Sequence, residues 1–455
     1  MIKKLLSFVI MVSAVCLLSS CLKDNNDEVT YYEDTAVTAF KLATLKRQLT
    51  TTAKDGVTDS SYTVAYNAGK YAFYIDQNLK LIYNPDSLPC GTDASKAIAS
   101  ITSKNGGVIV LNYKNKTGGD SLVYYKQKDS LDFSMPTHLR VYNMKNTAYR
   151  EYTVKVNIHQ QMGDEMPWNG SSQDALSAVG MRKIVENNGK MFLFGTSNGQ
   201  TIGFGQNNDS FVQLNGQFSA DAYQNVVAMK GLLYLVDNGN ILRSTDGNTW
   251  NTVGPTNGIT RLIGASDSKI YALTAAGIVS SADNGATWVA NDLDDDKANL
   301  PTENINFVCI PSQVNSKTNS LILVGTHNGK TVIWRKVEEN DANAQNQPWA
   351  FYPQDSYNQH TLPTLQNLQV IAYDNALLAL GTGCKAFYVS KDDGLTWLES
   401  KTYTLPDNFA AAGKPFAMSR NDKNMIYISL SGDTKVWTGR IARLGWKDIQ
   451  KKFTE

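Results

Sequence analysis

Ser390-Lys391-Asp392-Asp393-Gly394-Leu395-Thr396-Trp397 is the stretch on which the reading turns, because the chain repeats it. Ser281-Ala282-Asp283-Asn284-Gly285-Ala286-Thr287-Trp288 is a second copy, and Ser244-Thr245-Asp246-Gly247-Asn248-Thr249-Trp250 is a shorter third. Each residue type suits a tight turn between two antiparallel strands. The Asp accepts hydrogen bonds from backbone N–H groups that the turn leaves unpaired. The Gly takes the positive φ such a turn needs. Ser and Thr add local side-chain to backbone bonds, and the Trp opens the next strand with a large apolar face to bury. The aspartates therefore have structural roles, and the pattern speaks to fold before chemistry.

Working outward, six apolar hairpins recur after residue 166. Met191-Phe192-Leu193-Phe194 before Gly195, and Leu321-Ile322-Leu323-Val324 before Gly325, are the most alike. Four more run through Leu233-Tyr234-Leu235-Val236, Ile270-Tyr271-Ala272-Leu273, Leu377-Leu378-Ala379-Leu380 and Ile426-Tyr427-Ile428. A further apolar strand precedes each one. Their spacing, from about 37 to 55 residues, is within the range of four-stranded propeller blades. The expected fold is all-β, with six blades, or alternatively seven. Trp168 and Trp446 stand like box tryptophans without boxes, so the two ends of this region are expected to share a closing blade. The unit near Trp349 lacks the box and carries an insertion at 338–348, and the unit near Phe211 has Asp209-Ser210-Phe211 in its place.

The repeated stretch resembles the Asp box, the S-x-D-x-G-x-T-W signature of bacterial-neuraminidase-type repeats. The structural box residues are Ser244, Asp246, Gly247 and Trp250, then Ser281, Asp283, Gly285 and Trp288, and finally Ser390, Asp392, Gly394 and Trp397.

All eight Trp lie at or after Trp168, a composition shift that marks a domain boundary. Residues 34–161 alternate apolar strands, such as Tyr71-Ala72-Phe73-Tyr74-Ile75 and Val108-Ile109-Val110-Leu111, with turns at Asn105-Gly106-Gly107 and Thr117-Gly118-Gly119. They close with Tyr152-Thr153-Val154-Lys155-Val156-Asn157-Ile158, whose Y-x-V-x-V run resembles the last strand of immunoglobulin-like modules. The expectation is a small antiparallel, Ig-like β-sandwich over 34–161, followed by the propeller over 166–455. Triplets Asp34-Thr35-Ala36, Asp86-Ser87-Leu88, Asp120-Ser121-Leu122 and Asp129-Ser130-Leu131 resemble O-glycosylation sites of Bacteroides extracytoplasmic proteins.

Met1-Ile2-Lys3-Lys4 and the apolar run 5–18 make a secretory signal, too short to span a bilayer. Leu18-Ser19-Ser20-Cys21 resembles the bacterial lipobox. It implies a signal peptide over 1–20, a lipid on Cys21, and a flexible tether over 21–33. Lys23-Asp24-Asn25-Asn26-Asp27-Glu28 resembles the acidic export tag of Bacteroidetes surface lipoproteins, which implies an outer-membrane address facing the exterior. The whole arrangement resembles a family of such lipoproteins defined only by a domain of unknown function. That resemblance implies an address and a fold, and no established activity.

Lys+Arg number 43 against 42 Asp+Glu, so no nucleic-acid footprint is present. Beyond Cys21, the distant Cys90, Cys309 and Cys384 form no disulfide framework or metal cluster; only Cys309 and Cys384 are candidates to pair. Gly195-Thr196-Ser197-Asn198-Gly199 matches the nucleophile elbow, but strand residues follow it where a helix is required. The acidic run Asp292-Leu293-Asp294-Asp295-Asp296-Lys297 has Lys where a calcium loop needs Gly, and reads as a solvated loop. The four histidines show no metal spacing, so neither metal nor cofactor is expected.

The Asp box also raises a sialidase-like hydrolase. That resemblance implies three arginines clamping a carboxylate, a Tyr nucleophile activated by Glu, and an Asp acid/base. No Phe-Arg-Ile-Pro segment is present. Arg182, Arg261 and Arg420 sit near expected inner-strand starts, and Tyr223 with Asp221 near another; these are the channel or ligand candidates. The leading expectation is a membrane-anchored surface protein whose non-catalytic propeller binds an extracellular glycan or protein. The alternatives are a sialidase-like glycosidase and an assembly scaffold at the outer membrane.

Overall fold

A computed structural model describes residues 33–52, 59–114, 120–341, 343–345, 347–354 and 358–446. The signal, Cys21 and the tether up to residue 32 lie outside the described residues, as does the Thr117-Gly118-Gly119 turn. The chain divides into two compact units between Gln160 and Gln161.

Among its described residues, the first unit is all β apart from the 3-10 turn Ala68–Lys70. A six-stranded sheet runs in the order Tyr74–Asp76, Leu81–Tyr83, Tyr149–Lys155, Thr137–Tyr142, Ile109–Lys114 and Asp120–Tyr124. Thr137–Tyr142 alternates buried and half-buried residues, as a strand with one face on the core should. Leu111, Leu139, Val141, Tyr152 and Val154 are fully buried. The Tyr152 hydroxyl accepts from Val37 N–H at 3.1 Å and donates to Gln77 Oε1 at 2.6 Å, so its polar end is satisfied inside the core. Two expectations are corrected. The unit is not wholly antiparallel, because Leu81–Tyr83 and Tyr149–Lys155 pair in parallel. Residues 84–148 lie between them and form the long crossover that parallel neighbours require. The strand expected from Tyr71 begins only at Tyr74, since the 3-10 turn Ala68–Lys70 still holds Tyr71 N–H on Ala68 O.

Among its described residues, the second unit holds six four-stranded antiparallel sheets. Their first strands are Arg182–Asn187 (sheet I), Val227–Met229 (II), Ile259–Ala265 (III), Glu303–Pro311 (IV), Gln369–Tyr373 (V) and Phe416–Arg420 (VI). In sheets I to V the four strands are consecutive in the chain. Sheet VI borrows its fourth, because Trp168–Ser172 pairs with Lys435–Gly439. Each first strand lies beside the first strand of the next sheet, and that of sheet VI lies beside that of sheet I. Among the described residues, six apolar clusters fill the seams. One example sets Phe192 and Phe194 of sheet I against Leu233 and Leu235 of sheet II; another sets Ile322 and Ile333 of sheet IV against Leu377 and Ala379 of sheet V. Fully burying a Leu, Ile or Phe side chain contributes about 1.5–3 kcal/mol. The Asn198-Gly199, Asn238-Gly239 and Asn328-Gly329 pairs all have positive φ, which two-residue hairpin turns demand. Gly195 to Gly199 is therefore an ordinary hairpin between Lys190–Ser197 and Gln200–Asn207, with no helix after it.

Candidate functional site

The three repeated turns share one hydrogen-bond plan. Ser390 Oγ donates to Asp392 Oδ1 at 2.8 Å and accepts from Gly394 N–H at 2.8 Å. Thr396 donates its N–H and its hydroxyl to Asp392 at 2.9 and 2.6 Å, and Trp397 Nε1–H reaches Gly394 O at 2.9 Å. Ser281, Asp283, Gly285, Thr287 and Trp288 repeat the plan in full, and Ser244, Asp246, Gly247, Thr249 and Trp250 follow it in the shorter turn with the Thr249 N–H as the threonine donor. Bonds from Thr287 and Ser281 hold the Asp283 carboxyl down to about 2, and those from Thr249 and Asn248 lower Asp246. Burial works against Asp392, but Thr396 and Ser390 outweigh it and its value is also lowered. These carboxylates are ionised acceptors committed to their own turns. Each Trp packs into the sheet before its own: Trp397 against Ile322 and Ile333, Trp288 against Ile241 and Val253, Trp250 against Phe194 and Phe218.

The first strands converge on a different place. A cavity of about 390 Å³ is lined by Arg182 and Lys183 of sheet I, Tyr223 and Gln224 ahead of sheet II, Arg261 of sheet III, Glu303 to Asn306 of sheet IV, Gln369 of sheet V and Phe416 of sheet VI. All six sheets or their lead-in segments thus reach it, which places it where the ring of first strands meets. A second cavity of about 740 Å³ shares Gln224, Arg261, Thr302 and Ile305 with the first and adds Asp221, Lys297 and His327. Both volumes fall in the range of small-ligand sites, about 300–1,000 Å³.

Gln224 ties the cations together. Lys183 Nζ donates to its backbone carbonyl at 3.1 Å, and Arg261 Nη1 donates to its Oε1 at 3.0 Å. Neither Lys183 nor Arg261 forms an ion pair among the described residues. Burial and then the neighbouring Arg261 push the Lys183 ammonium down to about 7. Burial also lowers Arg261.

The sequence-based candidates separate. Arg261 and Tyr223 line the cavity. Arg182 borders it but is only 4% exposed and is fully engaged. Its guanidinium donates to Ser429 Oγ at 2.7 Å, to the carbonyls of Gly180, Leu176 and Asp433, and to that of Val179. Arg420 corrects the expectation of three arginines at one end. It is the last residue of its strand, beside Glu186 and Tyr373, while Phe416 at the other end of that strand lines the cavity. Tyr223 is not activated either, because burial and then Asp221 raise its phenol, the reverse of what a nucleophile needs. Lys183 was missed by sequence reasoning, since its strand, Arg182-Lys183-Ile184-Val185-Glu186-Asn187, carries no pattern that sets it apart from a solvated lysine.

Other candidates resolve locally. Asp296 caps the 3-10 turn Lys297–Asn299, and Asp294 Oδ1 accepts from Phe351 N–H at 2.8 Å, so the acidic run serves its own loop. Among the described residues no group of three or more His, Cys, Asp or Glu side chains is placed to hold a metal. Cys90, Cys309 and Cys384 are free thiols, and burial pushes Cys309 up to about 12. Thr35 and Ser87 are buried, which removes two of the four glycosylation candidates; Ser130 is exposed.

The family model described as the DUF6242 beta propeller domain matches residues 162–449, and the N-terminal domain of the same family, a domain of unknown function, matches 40–156. The chain belongs to the DUF6242 family. Its second unit is accordingly a β-propeller domain. No curated protein matches this DUF6242 chain. Among solved structures, virginiamycin B lyase from Staphylococcus aureus is similar at 12% identity, covering 61% of this chain and 99% of that one, with a TM-score of 0.36. A Trichoderma reesei carbohydrate-active enzyme of family AA12 is similar at 9% identity, with 60% and 95% covered and a TM-score of 0.36. The extracellular domain of a one-component system from B. thetaiotaomicron is similar at 12% identity, with 60% and 39% covered and a TM-score of 0.30.

Proposed function

We propose that this DUF6242 chain is a surface lipoprotein whose propeller, six-bladed and closed by Trp168–Ser172, binds an extracellular glycan or protein without turning it over. The observation that carries the reading is the axial cavity: concave, polar, open, and lined from every sheet around Lys183 and Arg261. The lipobox around Cys21 and the acidic residues after it support display at the outer membrane, with the Ig-like unit as spacer. A sialidase-like mechanism is disfavoured by three features of the site. Arg182 is spent on protein acceptors, Arg420 lies at the far end of its strand, and Tyr223 is held protonated.

The test is a glycan array probed with residues 28–455, which keep every described residue, beside a fluorogenic sialoside turnover assay on the same sample. Saturable binding without turnover is the expected result. Turnover that is lost in Arg261→Ala would replace this reading with the hydrolase. Silence in both assays would shift the function to an assembly scaffold with a protein partner.

A further inference from the structure

Besides the fully engaged Arg182, two cations line the axial cavity, and no carboxylate pairs with them among the described residues. Burying charge without a partner is costly, so proteins pair buried ions or reserve them for a ligand. Glu303 is the single carboxylate lining this cavity, and it forms no ion pair with Lys183 or Arg261 among the described residues. Arg261 uses Nη1 on Gln224 Oε1; its Nη2 and Nε have no acceptor among the described residues. Lys183 uses one of its three N–H donors, on Gln224 O. A planar guanidinium fork beside an ammonium suits a carboxylate, which the fork can grip bidentately. Across the cavity, Asn304 donates its amide to Thr326 Oγ1, Asn367 to Thr382 Oγ1 and Gln369 to Leu368 O. Each leaves its amide oxygen unbonded among the described residues, where a sugar hydroxyl can donate.

Resting on the binding-face reading, we infer that the ligand is an acidic glycan, whose sugar carboxylate sits between Lys183 and Arg261 while its hydroxyls meet the amides of sheets IV and V. The other charged and titratable groups facing Lys183 are Arg182 on its own strand, Arg261, Glu303 and Tyr223. Asp221, Lys297 and His327 line only the adjoining cavity, where Asp221 Oδ1 accepts from Gln224 Nε2 at 3.4 Å. Binding requires the Lys183 proton, so affinity falls as pH rises above about 7.

Calorimetric titration of residues 28–455 tests this, with oligosaccharides ending in D-glucuronic acid, matched oligosaccharides ending in D-glucose, and sodium sulfate, at pH 6 and pH 9. The glucuronate-ended probe is expected to bind at least tenfold tighter than the glucose-ended one. Lys183→Met and Arg261→Gln are each expected to weaken it at least tenfold while unfolding cooperatively like the wild type. The loss of affinity between pH 6 and pH 9 should vanish in Lys183→Met. Equal binding of the neutral probe, or affinity that neither variant changes, overturns the carboxylate and leaves the binding face standing. Sulfate competing as strongly as the sugar acid overturns recognition of the sugar. Failure of every sugar here and on the array removes the binding-face reading itself.

Discussion

Replacing Lys183 with methionine keeps the reach of the side chain and removes its charge, so it measures what that charge costs the fold. Burial and Arg261 bring the ammonium from 10.5 to about 7. At 1.36 kcal/mol per pKa unit the gap corresponds to a penalty of about 5 kcal/mol on the folded chain. Lys183 is half-buried, so solvent screening brings the figure to about 2–3 kcal/mol. The penalty is fully present below pH ~7, where the folded chain still binds the proton. It fades as pH climbs from about 7 to 10.5, because there the unfolded chain holds a proton that the folded chain has released. Methionine in turn loses the 3.1 Å bond to Gln224 O, worth about 1 kcal/mol. Lys183→Met should therefore be more stable than the wild type by about 1–2 kcal/mol at pH 6 and less stable by about 1 kcal/mol near pH 10.5. Denaturant unfolding followed by tryptophan fluorescence is the assay, since all eight Trp lie at or beyond Trp168 and report on the propeller unit alone. A difference that keeps one sign and one size across this range refutes the uncompensated charge, and with it the physical basis for an anionic ligand.

Arg182→Ala should destabilise the propeller by about 3 kcal/mol, because it removes the five hydrogen bonds of the guanidinium from a buried seam and leaves the Ser429 hydroxyl without its partner. Unchanged denaturant stability with lost ligand binding would instead make Arg182 a ligand contact. Trp397→Ala should cost about 3–5 kcal/mol, since the ring is only 2% exposed between sheets IV and V. Trp288→Ala, at the equivalent place in the turn of sheet III but half-buried, should cost about 1–2 kcal/mol. Equal losses in thermal or denaturant unfolding would show that the shared Nε1–H bond, and not burial, sets the contribution.

The two cavity residues that matter most were unevenly legible. Arg261 could be picked out as a charge near the start of an expected inner strand, and it lines the cavity. Arg420 was chosen by the same rule and lies at the opposite end of its strand, because charge and apolar pattern say which residues share a strand but not where that strand begins. Lys183 drew no notice, since a lysine in sequence looks like any solvated lysine until the surrounding residues are known. In the first unit, the alternation in 137–142 marked a strand, while nothing in it indicated that Tyr149–Lys155 would take a parallel neighbour.

The repeated turns are chemistry of short range. Ser390, Asp392, Gly394, Thr396 and Trp397 bond to one another within eight residues, so their order along the chain already contains their geometry. The hairpins are equally local, each announced by its apolar strands and, in several, by an Asn-Gly turn. The axial cavity is not local. Lys183, Arg261, Glu303 and Gln369 come from sheets I, III, IV and V, and Gln224 from the lead-in to sheet II, and they meet only because the first strands close into a ring. What singles out Lys183 is a missing carboxylate around it, and a missing partner is a property of three-dimensional surroundings that the order of residues along the chain does not encode.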